Sequence, residues 1–295
     1  MIFNKFSESL QHRVLNKTTL LNPVLKLRKA FAKLYAANDV NICYNKFIRD
    51  TYDPNRQNIL VAIESPAYFE YYNWIDPDMK FAAEISFMNY FKLENYLCPR
   101  TIYANYDNFV EMEQKYQPGD KSGLVSMVYS DKQIVAGHTM RHEISRVYKK
   151  QLHLFGGGTG RFLKQKSDAL LPYMFQVVIE NGKYPEYVSE KFFDCLKTCT
   201  IPIYWGGELA LQKMGFDSRG IIFFDKLQDL DSIFEKISPE YYQKALPYVL
   251  KNRERLVEIR DEDKLMMALH TIKIGYHHTV SSYKGLNKQR LNIRF

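Results

Sequence analysis

The chain reads as an α/β protein built on parallel sheet. Three observations carry that expectation. Short apolar runs at Ile59–Ile63, Leu124–Tyr129, Phe175–Ile179, Ile201–Tyr204 and Gly220–Phe224 are continuous rather than alternating, the pattern of strands covered on both faces. Helical segments lie between them at Met140–Lys150, Val188–Thr198 and Leu209–Met214, so the order is strand–helix–strand and implies βαβ units. The chain is 295 residues long, 46% hydrophobic and 25% charged, with 14 Gly and 11 Pro. That is room for about two folded domains and not the composition of a disordered chain.

The polar stretch Glu113–Ser122 is the expected interdomain linker. It separates an N-terminal part over 1–120 from a C-terminal part over 123–270, with a basic tail over 271–295. The net charge of +8 is unevenly placed. The first fifty residues hold nine Lys/Arg against three acids, and the last fifteen hold Lys284, Lys288, Arg290 and Arg294 with no acid. The body between is close to neutral, which argues against a nucleic-acid partner, because such proteins concentrate cations on the binding face. The basic ends suit an anionic surface instead. Residues 23–36 fit an amphipathic helix with Lys26, Lys29 and Lys33 beside an apolar stripe. It reads either as a docked helix with a solvated basic face or as a membrane-surface helix. Four scattered cysteines make no disulfide framework or metal-ligand spacing. No signal peptide and no apolar span long enough to cross a membrane is visible.

Chemistry concentrates in Phe175–Gly207. A strand ends at Glu180-Asn181, a turn-rich loop follows, a helix opens near Tyr187–Ser189, and a second strand stops at Gly206-Gly207. Ligands of open α/β sheets bind at the carboxyl ends of strands, and helix N-termini attract anions. Lys191 falls in a first helical turn, where a cation opposes the dipole. An anionic ligand would relieve it, and so would a surface Glu190–Lys191 pair.

This segment resembles the donor-binding signature of the α-1,3/4-fucosyltransferases, glycosyltransferase family 10, of bacterial type. The matching positions are Ile179-Glu180-Asn181, then Tyr187-Val188-Ser189-Glu190-Lys191, then Ile201-Pro202-Ile203-Tyr204-Trp205-Gly206. Ser189 in place of Thr and Ile179 in place of Phe are mild departures. The resemblance implies the GT-B fold, two Rossmann-like domains with parallel sheets facing a cleft. Residues 1–120 would then bind the acceptor and 123–270 a GDP-sugar. It implies GDP-fucose as donor, with Lys191 neutralising the pyrophosphate, Glu190 on the ribose hydroxyls, and Asn181 and Tyr187 on the sugar and phosphate side. Arg141, within His138-Thr139-Met140-Arg141, is similar to a family arginine on the donor phosphates. Its guanidinium fork suits a leaving diphosphate. The glycine-rich Phe155–Arg161 stands at the family's glycine-rich position, so Gly157 is expected to line the donor site and Arg161 to add a phosphate or acceptor contact.

Upstream, Leu60–Pro66 ends a strand in Glu-Ser-Pro, as family members do. The resemblance makes Glu64 the catalytic base. An inverting transferase needs one carboxylate to take the proton of the attacking hydroxyl, and no general acid once the diphosphate's charge is stabilised. A helix-capping role for Glu64 is the alternative. Lys80–Met88 departs from the family's acceptor-side pattern, which leaves the glycan acceptor open. The aromatics Tyr68, Phe69, Tyr71, Tyr72 and Trp74 suit either sugar stacking or packing. Asp76-x-Asp78 and Asp229-x-Asp231 match a metal-binding triplet that arises easily by chance, and with Arg141 and Lys191 carrying charge no obligate metal is expected. The expectation is thus fucosyl transfer to a hydroxyl, O3 of GlcNAc or a related sugar, on an oligosaccharide or lipopolysaccharide. The location expected is cytoplasmic, peripheral on the inner face of an anionic membrane. The rival readings are the same fold with another GDP-sugar, or a non-catalytic glycan- or membrane-binding module.

Overall fold

The computed structural model describes residues 40–62, 64–93, 96–97, 118 and 121–259. The amphipathic segment 23–36, most of the linker Glu113–Ser122 and the basic tail 271–295 lie outside the described residues. The chain falls into two compact units. The first holds described residues 40–62, 74–93 and 96–97, and the second holds 64–73, 118 and 121–259. Glu64 and the helix after it, expected with the N-terminal part, therefore belong to the second unit.

The first unit carries a four-stranded sheet of order β1-β2-β3-β4, parallel throughout, from β1 (Val40–Tyr44), β2 (Gln57–Ala62), β3 (Ala83–Ser86) and β4 (Tyr96–Leu97). A single-turn helix, α1 (Ile48–Thr51), follows β1. Leu60, Ile59, Ala83, Ile85 and Phe87 form its apolar interior. Two buried polar groups are tied down. Asn58 donates to the carbonyls of Asp53 (2.7 Å) and Arg56 (3.0 Å) and accepts from Asn41 (2.8 Å). Glu84 is fully buried and accepts the backbone N–H groups of Tyr90 (2.6 Å) and Phe91 (3.0 Å) and the Ser86 hydroxyl.

The second unit is built on β5 (Gly123–Val128), β6 (His153–Phe155), β7 (Tyr173–Ile179), β8 (Ile201–Trp205) and β9 (Ile222–Phe223), again all parallel. The order is β6-β5-β7-β8-β9. Counted along the chain this is 2-1-3-4-5, a doubly wound sheet whose direction of growth reverses between its first and third strands. Burial of every residue of β8 and nearly every residue of β7 explains their unbroken apolar runs. The helices are α2 (Pro66–Tyr72), α3 (Ala136–Val147), α4 (Glu190–Lys197), α5 (Glu208–Lys213), α6 (Asp229–Lys236) and α7, over residues 239–259. None of the described helices is long and apolar enough to cross a membrane. The α/β class with parallel sheets is as expected. Asp229-x-Asp231 opens α6: Asp229 Oδ2 accepts the N–H groups of Asp225 and Lys226, both at 2.9 Å, and Asp231 accepts the Tyr148 hydroxyl at 2.8 Å.

A buried lysine closes the lower end of this sheet. Lys121 Nζ donates to the carbonyls of Tyr173 (2.7 Å), Leu170 (3.3 Å) and Leu171 (3.4 Å) and to Thr200 Oγ1 (2.9 Å), joining the entries to β7 and β8. Burial lowers its pKa to about 7. Lys121→Met keeps the stem but strips these carbonyls of their donor. It should cost about 2–4 kcal/mol in urea unfolding, the penalty of leaving buried acceptors unmet; an unchanged midpoint would show the clamp to be dispensable.

Candidate active site

α3 leaves β5 toward β6, and α4 leaves β7 toward β8. Their N-termini therefore meet where the sheet's direction reverses, the place where open α/β sheets bind ligands. α3 begins without a side-chain cap, since Val135 makes none. Instead it runs onto the end of β7: Gly137 N–H donates to Asn181 O at 3.1 Å. The approach is so close that a Cβ on Gly137 would sit 1.8 Å from Glu180 O. One turn on, Arg141 is 7% exposed. Its Nη2 donates to Ile179 O and, at 3.0 Å, to Asn181 Oδ1. Burial draws the guanidinium's pKa down and the charge of Glu180 draws it back up.

Across this junction the Glu180 carboxylate is fully buried. Oε1 accepts Ser189 N–H (2.9 Å) and the Tyr204 hydroxyl (3.3 Å), and Oε2 accepts Ser189 Oγ–H (2.6 Å). Ser189 in turn caps α4, its Oγ accepting from Lys191 N (3.4 Å) and Lys191 Nζ (2.9 Å). Lys191 Nζ stands 3.6 Å from Glu180 and 3.5 Å from Glu190. The Glu190–Lys191 pair left open by the sequence is thus formed, and Glu180, not only a ligand, answers the misplaced cation. Burial alone would raise the pKa of Glu190, but Lys191 and Lys166 (3.6 Å) hold it down at about 2.

Glu64 lies in the bend after β2, half-buried. Burial raises its pKa, the charge of Lys191 opposes this and that of Glu190 adds to it, and its carboxylate accepts the Ser65 N–H. Glu64 is therefore within electrostatic reach of Glu190 and Lys191. Ser65 is the N-cap residue of α2 but makes no side-chain cap bond. Tyr68, on the first turn of α2, is coupled to Glu64 and Arg141. Its hydroxyl lies 3.5 Å from His138 Nε2. His138 Nδ1 accepts Ile134 N–H at 3.2 Å, which leaves the ring proton on Nε2. Burial, then Arg141, lower its pKa to about 4, so the ring is neutral at pH 7.

Glu64, Arg141, Asn181, Glu190 and Lys191 thus come together. Tyr187 joins them from beneath: it is 1% exposed, with a pKa raised by burial and by Glu180, and it is hydrogen-bonded with Ser189. Gly157 is exposed and a Cβ there would meet nothing closer than 3.8 Å. The position that requires glycine in this loop is Gly156, at φ +98°, where a Cβ would lie 2.3 Å from Tyr129 O. Arg161 is exposed, its backbone is bridged to Gly156 just past the end of β6, and its charge acts on the Tyr173 hydroxyl. Sequence reasoning assigned no role to Glu180, His138 or Gly137. The signal for Gly137 was a glycine just before a helix-forming run with no capping residue.

Residues 120–239 match the C-terminal region of glycosyltransferase family 10 (fucosyltransferase). This segment belongs to that family. The fold agrees. A crystal structure of an α1,3-fucosyltransferase with GDP superposes at a TM-score of 0.51 and 18% identity, covering 70% of this chain and 68% of that one. A crystal structure of α1,3-fucosyltransferase with GDP-fucose superposes at 0.50 and 17% identity, with the same coverage. No curated protein matches the chain. The junction of α3, β7 and α4 offers a buried guanidinium, an ammonium and two helix N-termini, with the Glu64 carboxylate within electrostatic reach of Lys191. Among the described residues no group of three or more His, Cys, Asp or Glu is placed to hold a metal ion.

Gly137→Ala should force α3 off the end of β7. The expected result is a loss of about 1–3 kcal/mol in chemical denaturation, typical of overpacking, with the thermal midpoint falling in parallel. A variant as stable as the parent would contradict the close approach.

Proposed function

We propose that the protein transfers fucose from GDP-fucose to a saccharide hydroxyl with inversion. In this reading Glu64 takes the proton of the attacking hydroxyl, which displaces GDP from the anomeric carbon in one step. Arg141 and Lys191 hold the departing diphosphate, and Glu190 holds the ribose hydroxyls. The observation that carries it is the Arg141–Asn181 contact across the reversal of the sheet, with Lys191 and Glu64 in the same electrostatic neighbourhood. Two cations and two helix N-termini suit the diphosphate. A carboxylate with a raised pKa suits a base, because proton affinity rises with pKa. The basic ends are proposed to meet an anionic membrane carrying the acceptor, which vesicle binding by the full chain and by a chain lacking both ends would test.

Glu64→Ala should abolish transfer while GDP still binds, measured by product formation and by calorimetry side by side. Full transfer in that variant would refute the base assignment. The acid limb of kcat/KM should fall through a pKa above 4.5, since Glu64 must be ionised to act and its pKa is raised from that value. A limb at or below it would point to another group. Lys191→Ala should weaken GDP itself, by roughly tenfold or more for the loss of a charged hydrogen bond.

A further inference from the structure

Four rings form a continuous row in the second unit. His138 and Tyr68 have centroids 6.2 Å apart, Tyr68 and Tyr72 6.0 Å, and Tyr72 and Tyr71 4.8 Å at a right angle. Exposure rises along the row. His138 is 3% exposed, Tyr68 partly buried, Tyr72 46% and Tyr71 61%. Tyr68 and Tyr72 are one helical turn apart on α2, so they share a face. The helix itself is anchored, with Phe69 buried and Glu70 accepting the Tyr184 hydroxyl at 2.8 Å. The exposed tyrosines are therefore held in place and are not a loose surface.

The inner end of the row is the candidate active site. His138 shares the α3 N-terminus with Arg141, and Tyr68 is coupled to Glu64 and Arg141. The outer end is solvent. The tyrosines bring phenol hydroxyls to the row, and His138 is neutral at pH 7. A row of neutral rings edged with hydroxyls offers flat apolar faces for the C–H face of a sugar and phenol groups for its hydroxyls. The four rings bring no cation to a phosphate. Glu64 sits two residues before α2, so a molecule lying along this helix delivers a hydroxyl to that carboxylate.

We propose that Tyr71, Tyr72 and Tyr68 form the acceptor track of the enzyme, a surface that takes a neutral oligosaccharide with its reacting sugar beside Tyr68 and Glu64. This rests on the transferase reading above. The probes are N-acetyllactosamine, lactose and N-acetylglucosamine oligomers, each tested for binding by saturation-transfer NMR on the full chain with GDP present, and for fucosylation from GDP-fucose. Tyr71→Ala/Tyr72→Ala should raise acceptor KM about tenfold, the worth of about one aromatic contact or two, and lose the NMR transfer. The Kd for GDP should stay within about twofold, because neither ring reaches the diphosphate-binding cluster. Tyr72→Phe should recover most of the acceptor affinity, since the ring face remains. An unchanged acceptor KM, or saccharide signals that persist in the double variant, would overturn the track. So would a parent protein that binds none of the probes. Saccharide binding that depends on the two tyrosines without any transfer from GDP-fucose would uphold the track while refuting the fucosyl donor.

Discussion

The buried carboxylate of Glu180 is the constraint around which the second unit is arranged. Removing an ionised carboxyl from water costs several kcal/mol unless charge and hydrogen bonds replace the hydration. Ser189 supplies two donors and Tyr204 a third, while Lys191 brings a cation to 3.6 Å. Meeting those needs fixes the loop between β7 and α4, sets the helix start at Ser189, and holds Lys191 on the inner side of its turn. The neighbouring chain segments must also make room. Gly206 lies where a Cβ would come within 2.7 Å of Glu180 Cγ, and Gly137 where one would strike its carbonyl.

The two cations are held very differently, and that matters for a diphosphate. Lys191 is a point charge shared among Ser189, Glu180 and Glu190. Its attraction for an incoming anion is partly spent on these carboxylates, and a bound diphosphate competes with them. Arg141 is anchored to a carbonyl and an amide, neither of which carries charge. Among the described residues these bonds use only Nη2, which leaves Nε and Nη1 as donors, although the charges of Glu180 and Glu190 act on this guanidinium as well. Orientation comes from the backbone of β7 and attraction remains for the ligand, an arrangement that lowers the entropy lost on binding.

The second sheet was most legible at β7 and β8, which are buried on both faces and read as unbroken apolar runs. The first sheet was legible only at β2. β3 carries Glu84 at its centre, and only the turn that donates Tyr90 and Phe91 N–H groups makes a buried carboxylate tolerable there. β6 is three residues long and opens on a histidine. α3 begins four residues before the expected Met140, since contact with Asn181 replaces the missing cap. α2 hides in an aromatic run with little helical periodicity, and its one signal was Ser65-Pro66. In the site, Arg141, Asn181, Glu190 and Lys191 are the positions that the resemblance to family 10 implies. The Glu180–Ser189 network and the Tyr68–His138 contact do not follow from it, because they join segments 9 and 70 residues apart.

Charge at the site is set residue by residue, and the +8 of the whole chain has little bearing on it. His138 stands at a helix N-terminus beside Arg141, and Lys191 acts on it as well. Burial and these charges keep it neutral, so the site gains a donor without a further positive charge. Glu64 feels the opposite balance, with burial and Glu190 raising its proton affinity and Lys191 lowering it. In the proposed reaction a bound diphosphate would offset that last influence, since an anion beside Lys191 cancels its field at Glu64. The carboxylate then becomes more basic when the donor is in place. In that reaction proton removal from the acceptor would be favoured in the complex that can use it, with Lys191 setting the order.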